Sequence, residues 1–347
     1  MKVSIIVTAH NNGEELERNL PHFFEQDYDD DYEVIVVVEK GEDDTDDALK
    51  RLKSKYSQLY STYVPTSSRY ISRKKLAVTL GVKAAKNEWI ILTEATCRPL
   101  SNHWISAMTA PIREAADTSE TANSQYDMVL GYANFDEETS SFKRFLCLQR
   151  QQSLFGRSRR WTAYSQECRN LMFRKSMFLE GKGYNGNLKY IGGEYEFLVN
   201  KFAKRGNTAI ATAPDAWLEE ENPTAKQWKN RQLFHLETRR HLRRSFLHRL
   251  QVTCWQALVH LPYIAILALL VWSIIHSYWL AIGFATVALI GVYGLRAYFA
   301  NWPNVAFEAK IPVWKLPFYE VFWAWHYLYN IIRYRVADKN SFICHKI

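Results

Sequence analysis

Two sets of carboxylates are flanked in ways that chemistry could use. Glu94 ends an apolar run, Trp89-Ile90-Ile91-Leu92-Thr93, and is followed by Ala95-Thr96-Cys97-Arg98-Pro99, a turn closed by proline. Ligands of open α/β sheets bind at the carboxyl ends of the strands, so Glu94 stands where a phosphate or its divalent cation would sit. Mg²⁺ and Mn²⁺ prefer carboxylate and phosphate oxygens. An exposed acid at a strand end would leave the same trace with no chemistry attached. The second set is Gly192-Gly193-Glu194-Tyr195-Glu196, two glycines and two acids opening a helix expected to run to Lys204. Acids in a first helical turn also suit the positive end of the helix dipole without any catalysis.

The elements that must position these residues follow from the hydropathy pattern. Residues 3–8 form an apolar strand stopped by Thr8-Ala9-His10-Asn11-Asn12-Gly13, and Glu14 to Phe24 has helical spacing through Leu16, Leu20, Phe23 and Phe24. A second strand, Val34 to Val38, ends in Glu39-Lys40-Gly41, after which the acidic segment Glu42 to Asp47 opens another helix. A third strand is expected over Leu59 to Val64, and a helix over Arg73 to Lys86 leads into the strand of Glu94. Alternating strands and helices with short loops predict a mostly parallel α/β sheet with helices on both faces. Strands that repeatedly stop at polar loops on one edge build a nucleotide-type site there.

In this order, the motifs resemble the family-2 glycosyltransferases, in particular a membrane-anchored branch common in Bacteroidetes-type bacteria. They are a strand ending in Thr-Ala-His-Asn, a strand with a terminal acid, a Lys-x-x-Ala-x-x-x-Gly helix, and a strand running into Thr-Glu-Ala-x-Cys-x-Pro. The likeness covers residues 3 to about 240. It implies a glycosyltransferase A-type fold, a nucleotide-sugar donor and a divalent cation, Mn²⁺ or Mg²⁺. Ala9, His10 and Asn11 match the loop under the nucleotide, and Glu39 matches the acid that binds the base, where the family usually has Asp. Lys75 matches the basic residue near the diphosphate, though a solvated helix charge reads the same way. Glu94 and Thr96 fall on the metal-binding acid-x-Asp motif. Glu194 matches the general base when Glu196-Phe197 is aligned with the acid-Leu pair, with Glu196 as the fallback. Arg231 and His235 fall on a basic motif that contacts the diphosphate, and a basic face beside a membrane would explain them equally.

Three positions depart from the family pattern: Thr96, whose hydroxyl can ligate a cation but brings no charge, Tyr195, and the broken basic motif at 231–235. They keep open a second reading, a catalytically weak relative acting as a membrane scaffold or partner subunit. A soluble nucleotidyltransferase is disfavoured, because no Gly-rich phosphate loop follows the first strand. The segment 115–126 is polar and without period, and Phe142 to Trp161 is basic and aromatic, suited to an acceptor side, an interface or a core helix.

Beyond about residue 249 the composition changes. Cys254 to Ile275 carries no formal charge and is long enough to span a hydrocarbon core of about 30 Å. Tyr278 to Leu295 is a second run stopped by Arg296, so the two form a hairpin with a tiny turn. Aromatic Pro312 to Ile332 is expected to be a helix that lies in the interface or dips in and out of the bilayer. The division is therefore a cytosolic catalytic domain, 1–249, and a membrane domain, 250–347. The net charge of +8, with much of the excess in Arg231 to Arg249 just before the apolar block, favours an anionic membrane face over nucleic acid as partner. Five scattered cysteines without metal spacing read as reduced thiols in a cytosol-facing protein, and Lys2 leads directly into a strand with no signal peptide. A bacterial inner-membrane enzyme with a lipid-linked or polysaccharide acceptor is the expectation.

Overall fold

The structure, a computed structural model, describes residues 1–39, 44–56, 58–65, 72–118 and 126–344. The chain divides into two compact units, one of residues 1–138, 149–243 and 337–347, the other of 139–148 and 244–336. The first unit thus runs on to Arg243 and takes in residues 337–344 as well.

In the first unit, strand β1 (Val3–Ala9) leads to helices α1 (Gly13–Asn19) and α2 (Pro21–Phe24), then β2 (Tyr32–Val38), α3 (Thr45–Lys55), β3 (Leu59–Tyr63), α4 (Arg73–Ala84) and β4 (Trp89–Glu94). The helix expected over 14–24 is two helices, divided at Leu20 before Pro21. Lys40 to Asp43, part of the acidic segment, lie outside the described residues. β3, β2, β1 and β4 are neighbours in that order and run parallel. β1 and the last five residues of β2 are wholly buried, which is why these strands read as unbroken apolar runs. Gly81 lets α4 press onto them, since a Cβ there would lie 2.6 Å from Ile6 Cγ2 and 3.1 Å from Val37 Cγ2.

Next come β5 (Cys97–Pro99), α5 (Trp104–Thr118), β6 (Met128–Leu130), β7 (Ala133–Phe135) and α6 (Ser141–Arg160), of which residues 149–160 belong to this unit and 141–148 to the other. The expected loop at 115–126 is therefore helical through Thr118, and residues 119–125 lie outside the described residues. β8 (Leu171–Arg174), α7 (Lys175–Glu180), α8 (Glu194–Phe202), β9 (Thr208–Ile210), β10 (Leu218–Glu220) and α9 (Ala225–His241) complete the unit. β8 pairs antiparallel with β4 and β6, extending the sheet to seven strands, while β5, β10 and β7 form a small second sheet. In that sheet Glu221 N donates to Thr96 O at 3.0 Å, which binds the turn after Glu94 to the end of β10.

The basic segment between residues 225 and 249 is not one continuous helix. Leu242 is extended and Arg244 has φ +64°, and a new helix, α10 (Ser245–Ile275), starts at once. In the second unit α10 packs against α11 (Trp279–Ala306), and α12 (Leu316–Val336) follows. α10 and α11 are each long and apolar enough to cross a membrane. The second apolar run does not stop at Arg296: α11 continues to Ala306, and the Arg296 guanidinium is paired with Glu320 of α12 at 3.3 Å.

Candidate active site

The carboxyl ends of β1, β2 and β4, the start of α4, the start of α8 and one side of α9 surround a cavity of about 950 Å³ within the first unit. Of the residues singled out from the sequence, Ala9, His10, Glu39, Glu94, Thr96, Glu194, Glu196, Arg231 and His235 line it, so both acid motifs open onto one space. Asn11 does not line it: it takes φ +53° at the turn and Asn12 takes the lining position.

Lys75 does not reach the cavity either. Ser72 caps α4 by accepting from Lys75 N, which sets the phase of the helix. Consecutive residues then point about 100° apart, so Lys74 faces the cavity and Lys75 the interior. Lys75 Nζ donates to the carbonyls of Asn187, Tyr190 and Gly192 at 3.2, 2.5 and 2.7 Å and lies 4.7 Å from the centre of the Phe197 ring. Burial pulls its pKa down to about 8. Lys75 is therefore a tie holding the segment that precedes Gly192-Gly193. Counted back from Ala77, the Lys-x-x-Ala spacing selects Lys74.

Around Glu94 the charges alternate. Lys74 Nζ lies 2.8 Å and Arg169 Nε 3.1 Å from the same oxygen, Glu94 Oε1. Arg169 also faces Glu220 at 3.7 Å, and Glu220 receives Arg231 at 2.9 Å. Burial would raise the Glu94 pKa, but Lys74 and Arg169 outweigh it and hold the carboxyl at about 2. Beside this cluster, His235 Nδ1 lies 3.1 Å from Glu167 Oε1, and Arg150 lies 3.3 Å from the other oxygen. Glu167 remains well below the usual carboxylate range despite burial because His235 and Arg150 face it, while burial pulls His235 down. Just past the end of β2, Glu39 pairs with Arg73 at 3.1 Å.

Glu194 is the first residue of α8 and is buried, while Glu196, two residues on, is half-buried. Gly193, at φ +90°, makes this entry possible: a Cβ would fall 2.6 Å from Thr238 Cγ2 and 2.8 Å from the Phe197 ring. Burial first, and the Glu194 charge second, push the Glu196 pKa up to about 7. Glu196 thus holds its proton near neutrality.

The residues at Glu94 do not fit a resident divalent ion. Among the described residues no three of His, Cys, Asp and Glu are grouped to hold one. The second acid of the motif is Thr96, and Glu94 already has two cations on it. At an effective dielectric of about 20, a dication about 4 Å from each group would be attracted to Glu94 by about 8 kcal/mol and repelled by as much by each of Lys74 and Arg169.

Lys74, Arg169, Glu167 and Glu220 were not among the residues the sequence pointed to. Arg169 and Glu167 lie in the connection between α6 and β8, where no motif marks them, and only the antiparallel pairing of β8 with β4 brings them to Glu94.

A sequence profile described as glycosyl transferase family 2 matches residues 4–178, about half of the chain. Among solved structures, a mannosyltransferase from Pyrobaculum calidifontis in complex with GDP-Man and Mn²⁺ is 18% identical with a TM-score of 0.52, over 94% of this chain and 87% of that one. S. aureus TarS 1–349 in complex with UDP-GlcNAc matches at 15% identity and TM-score 0.47, over 67% of this chain and 65% of that one. GalNAc-T7 with UDP, GalNAc and Mn²⁺ matches at 13% and 0.47, over 67% of this chain and 47% of that one. No curated protein sequence matches the chain.

Proposed function

The chain belongs to glycosyl transferase family 2 and has the glycosyltransferase A-type fold, and from that premise we propose that it inverts the anomeric centre of a nucleotide-sugar while passing the sugar to a membrane-presented acceptor. The carrying observation is that Glu94, Glu194, Lys74, Arg169 and Arg231 line a single cavity at the strand ends. The nucleotide lies over the Ala9–His10 turn, with Glu39 at its base and the diphosphate toward Lys74, Arg169 and Arg231. Glu194 takes the proton of the acceptor hydroxyl as that oxygen bonds to the anomeric carbon. The bond from that carbon to the diphosphate oxygen breaks in the same step, and its electron pair leaves with the diphosphate, whose growing charge the cations stabilise.

The second unit supports an acceptor held at a bilayer. α10 and α11 leave Leu258, Leu261, Leu280 and Phe284 exposed by 59% or more, which a soluble core helix would not do. α12 is inverted: Glu320 and Asn330 are buried while Phe318, Trp325 and Ile332 face outward, the arrangement expected where the surroundings are lipid. Arginines 239, 240, 243, 244 and 249 next to the first apolar helix favour the cytosolic side for the first unit. A lipid-linked or surface-polysaccharide acceptor at the inner face of a bacterial membrane would share a plane with such an anchored enzyme.

The test is a donor panel. Full-length protein in detergent, given UDP-, GDP- and dTDP-sugars with membrane lipid extract, should release nucleoside diphosphate with at least one donor, and NMR of the product should show the inverted anomer. Silence across the panel, or retention of configuration, would overturn the proposal.

A further inference from the structure

The cluster at Glu94 is built differently from a site in which a metal bridges a carboxylate and a diphosphate. We infer that this chain holds and neutralises the donor diphosphate with Lys74, Arg169 and Arg231 in place of a divalent cation, so that donor binding and transfer proceed without metal. The inference rests on the transferase reading of the cavity.

Three observations lead there. The motif position that would supply the second ligand charge is Thr96. The remaining acid, Glu94, carries Lys74 and Arg169 on one oxygen at 2.8 and 3.1 Å, so the position a cation would take is next to two side-chain cations. Finally, Lys74, Arg169 and Arg231 converge on Glu94 and Glu220 from three elements, and Glu194, which lines the same cavity, also acts on Lys74. A guanidinium presents donors in a fork that matches phosphate oxygens, so a diphosphate entering the cavity would meet two such forks and an ammonium. With two cations on one of its oxygens, Glu94 has a different task from a metal ligand: it keeps Lys74 and Arg169 side by side until the diphosphate arrives. When the sugar–oxygen bond breaks, the electron pair passes to the diphosphate and its charge is met by groups already in place, with no reorganisation.

The experiment is a pair of calorimetric titrations of the full chain in detergent with UDP and with GDP, one in EDTA and one in millimolar Mn²⁺, together with Mn²⁺ EPR. At least one nucleotide should bind in EDTA, with a Kd within about twofold of that in Mn²⁺, and the protein should not reduce the free Mn²⁺ signal beyond what the nucleotide alone does. Lys74→Gln and Arg169→Gln should each weaken binding in EDTA at least about tenfold, and Arg169→Lys less. The wild-type titrations decide even if a variant fails to fold. Binding that Mn²⁺ tightens tenfold or more, or loss of the EPR signal on adding protein, would overturn the inference and leave the transferase reading standing. Absence of binding by UDP and GDP in both conditions, and by dTDP titrated in the same way, would overturn that reading and the inference with it.

Discussion

At the scale of residues, two neighbouring carboxyls with different surroundings make separable predictions. Replacing Glu194 by Gln removes the proposed proton acceptor but keeps its shape, so turnover should fall by about 10²- to 10⁴-fold while calorimetric donor binding persists; equal losses of both would mean Glu194 serves binding instead. Glu196 predicts a stability effect. Its pKa rises from 4.5 to about 7 on folding, so between these values the unfolded chain gives up a proton that the folded one keeps. The stabilisation is full below pH 4.5 and is lost as pH rises through 7, amounting to about 3 kcal/mol if the whole shift is realised. Glu196→Gln should therefore melt progressively higher than the parent from pH 5 to pH 8, by calorimetry in one detergent; a constant difference would place the ionised carboxylate in a solvated position. The contrast between Lys74 and Lys75 shows what a sequence can carry at this scale. That a lysine near the start of α4 meets the cavity follows from motif order, but which of two adjacent lysines does so depends on helix phase, set by the Ser72 cap. Arg169 left no trace because its partner Glu94 lies on a distant strand and they meet only through the pairing of β8 with β4.

At the scale of elements, the parallel strands were legible because burial on both faces demands unbroken apolar runs, as in Val34 to Val38. The three-residue strands β5 and β10 were not, since so short a segment has no period to read. Nor was the break at Leu242 to Arg244, where basic helix composition runs straight through a residue at φ +64°. The entry into α8 is the element on which the proposed base depends. Gly193→Ala would force a left-handed residue to carry a side chain and drive its Cβ to 2.6 Å from Thr238. The start of the helix would shift, and a displacement of about 1 Å at a reacting group can cost about 10²-fold in rate. We expect turnover to fall by that order with donor affinity changed much less; wild-type turnover in Gly193→Ala would show that the left-handed entry does not position Glu194.

At the scale of the whole molecule, the segment 187–192 ahead of the proposed base is fastened from two directions. Lys75 collects the carbonyls of Asn187, Tyr190 and Gly192 from within the fold. The residues that follow the apolar helices in the sequence add a second fastening: Cys344 N donates to Lys189 O at 2.8 Å, Ile191 N donates to Phe342 O at 3.0 Å, and Ile343 pairs with Tyr190. Phe342 is 3% exposed and meets Phe234 edge-on, and Cys344 is itself part of the cavity wall. Residues 342–344 thus belong to the surroundings of the site although a membrane-type segment separates them from it in sequence, an arrangement that composition, which changes once near 249, gave no reason to expect. Phe342→Ala should remove a buried ring at a cost of about 3 kcal/mol and free the 187–192 segment on one side. The expected result is a lower melting temperature together with faster amide exchange confined to residues 187–193, and reduced turnover as Glu194 loses its fixed approach. If exchange in that segment is unchanged while the melting temperature drops, the tail stabilises the unit as a whole and has no part in holding the base.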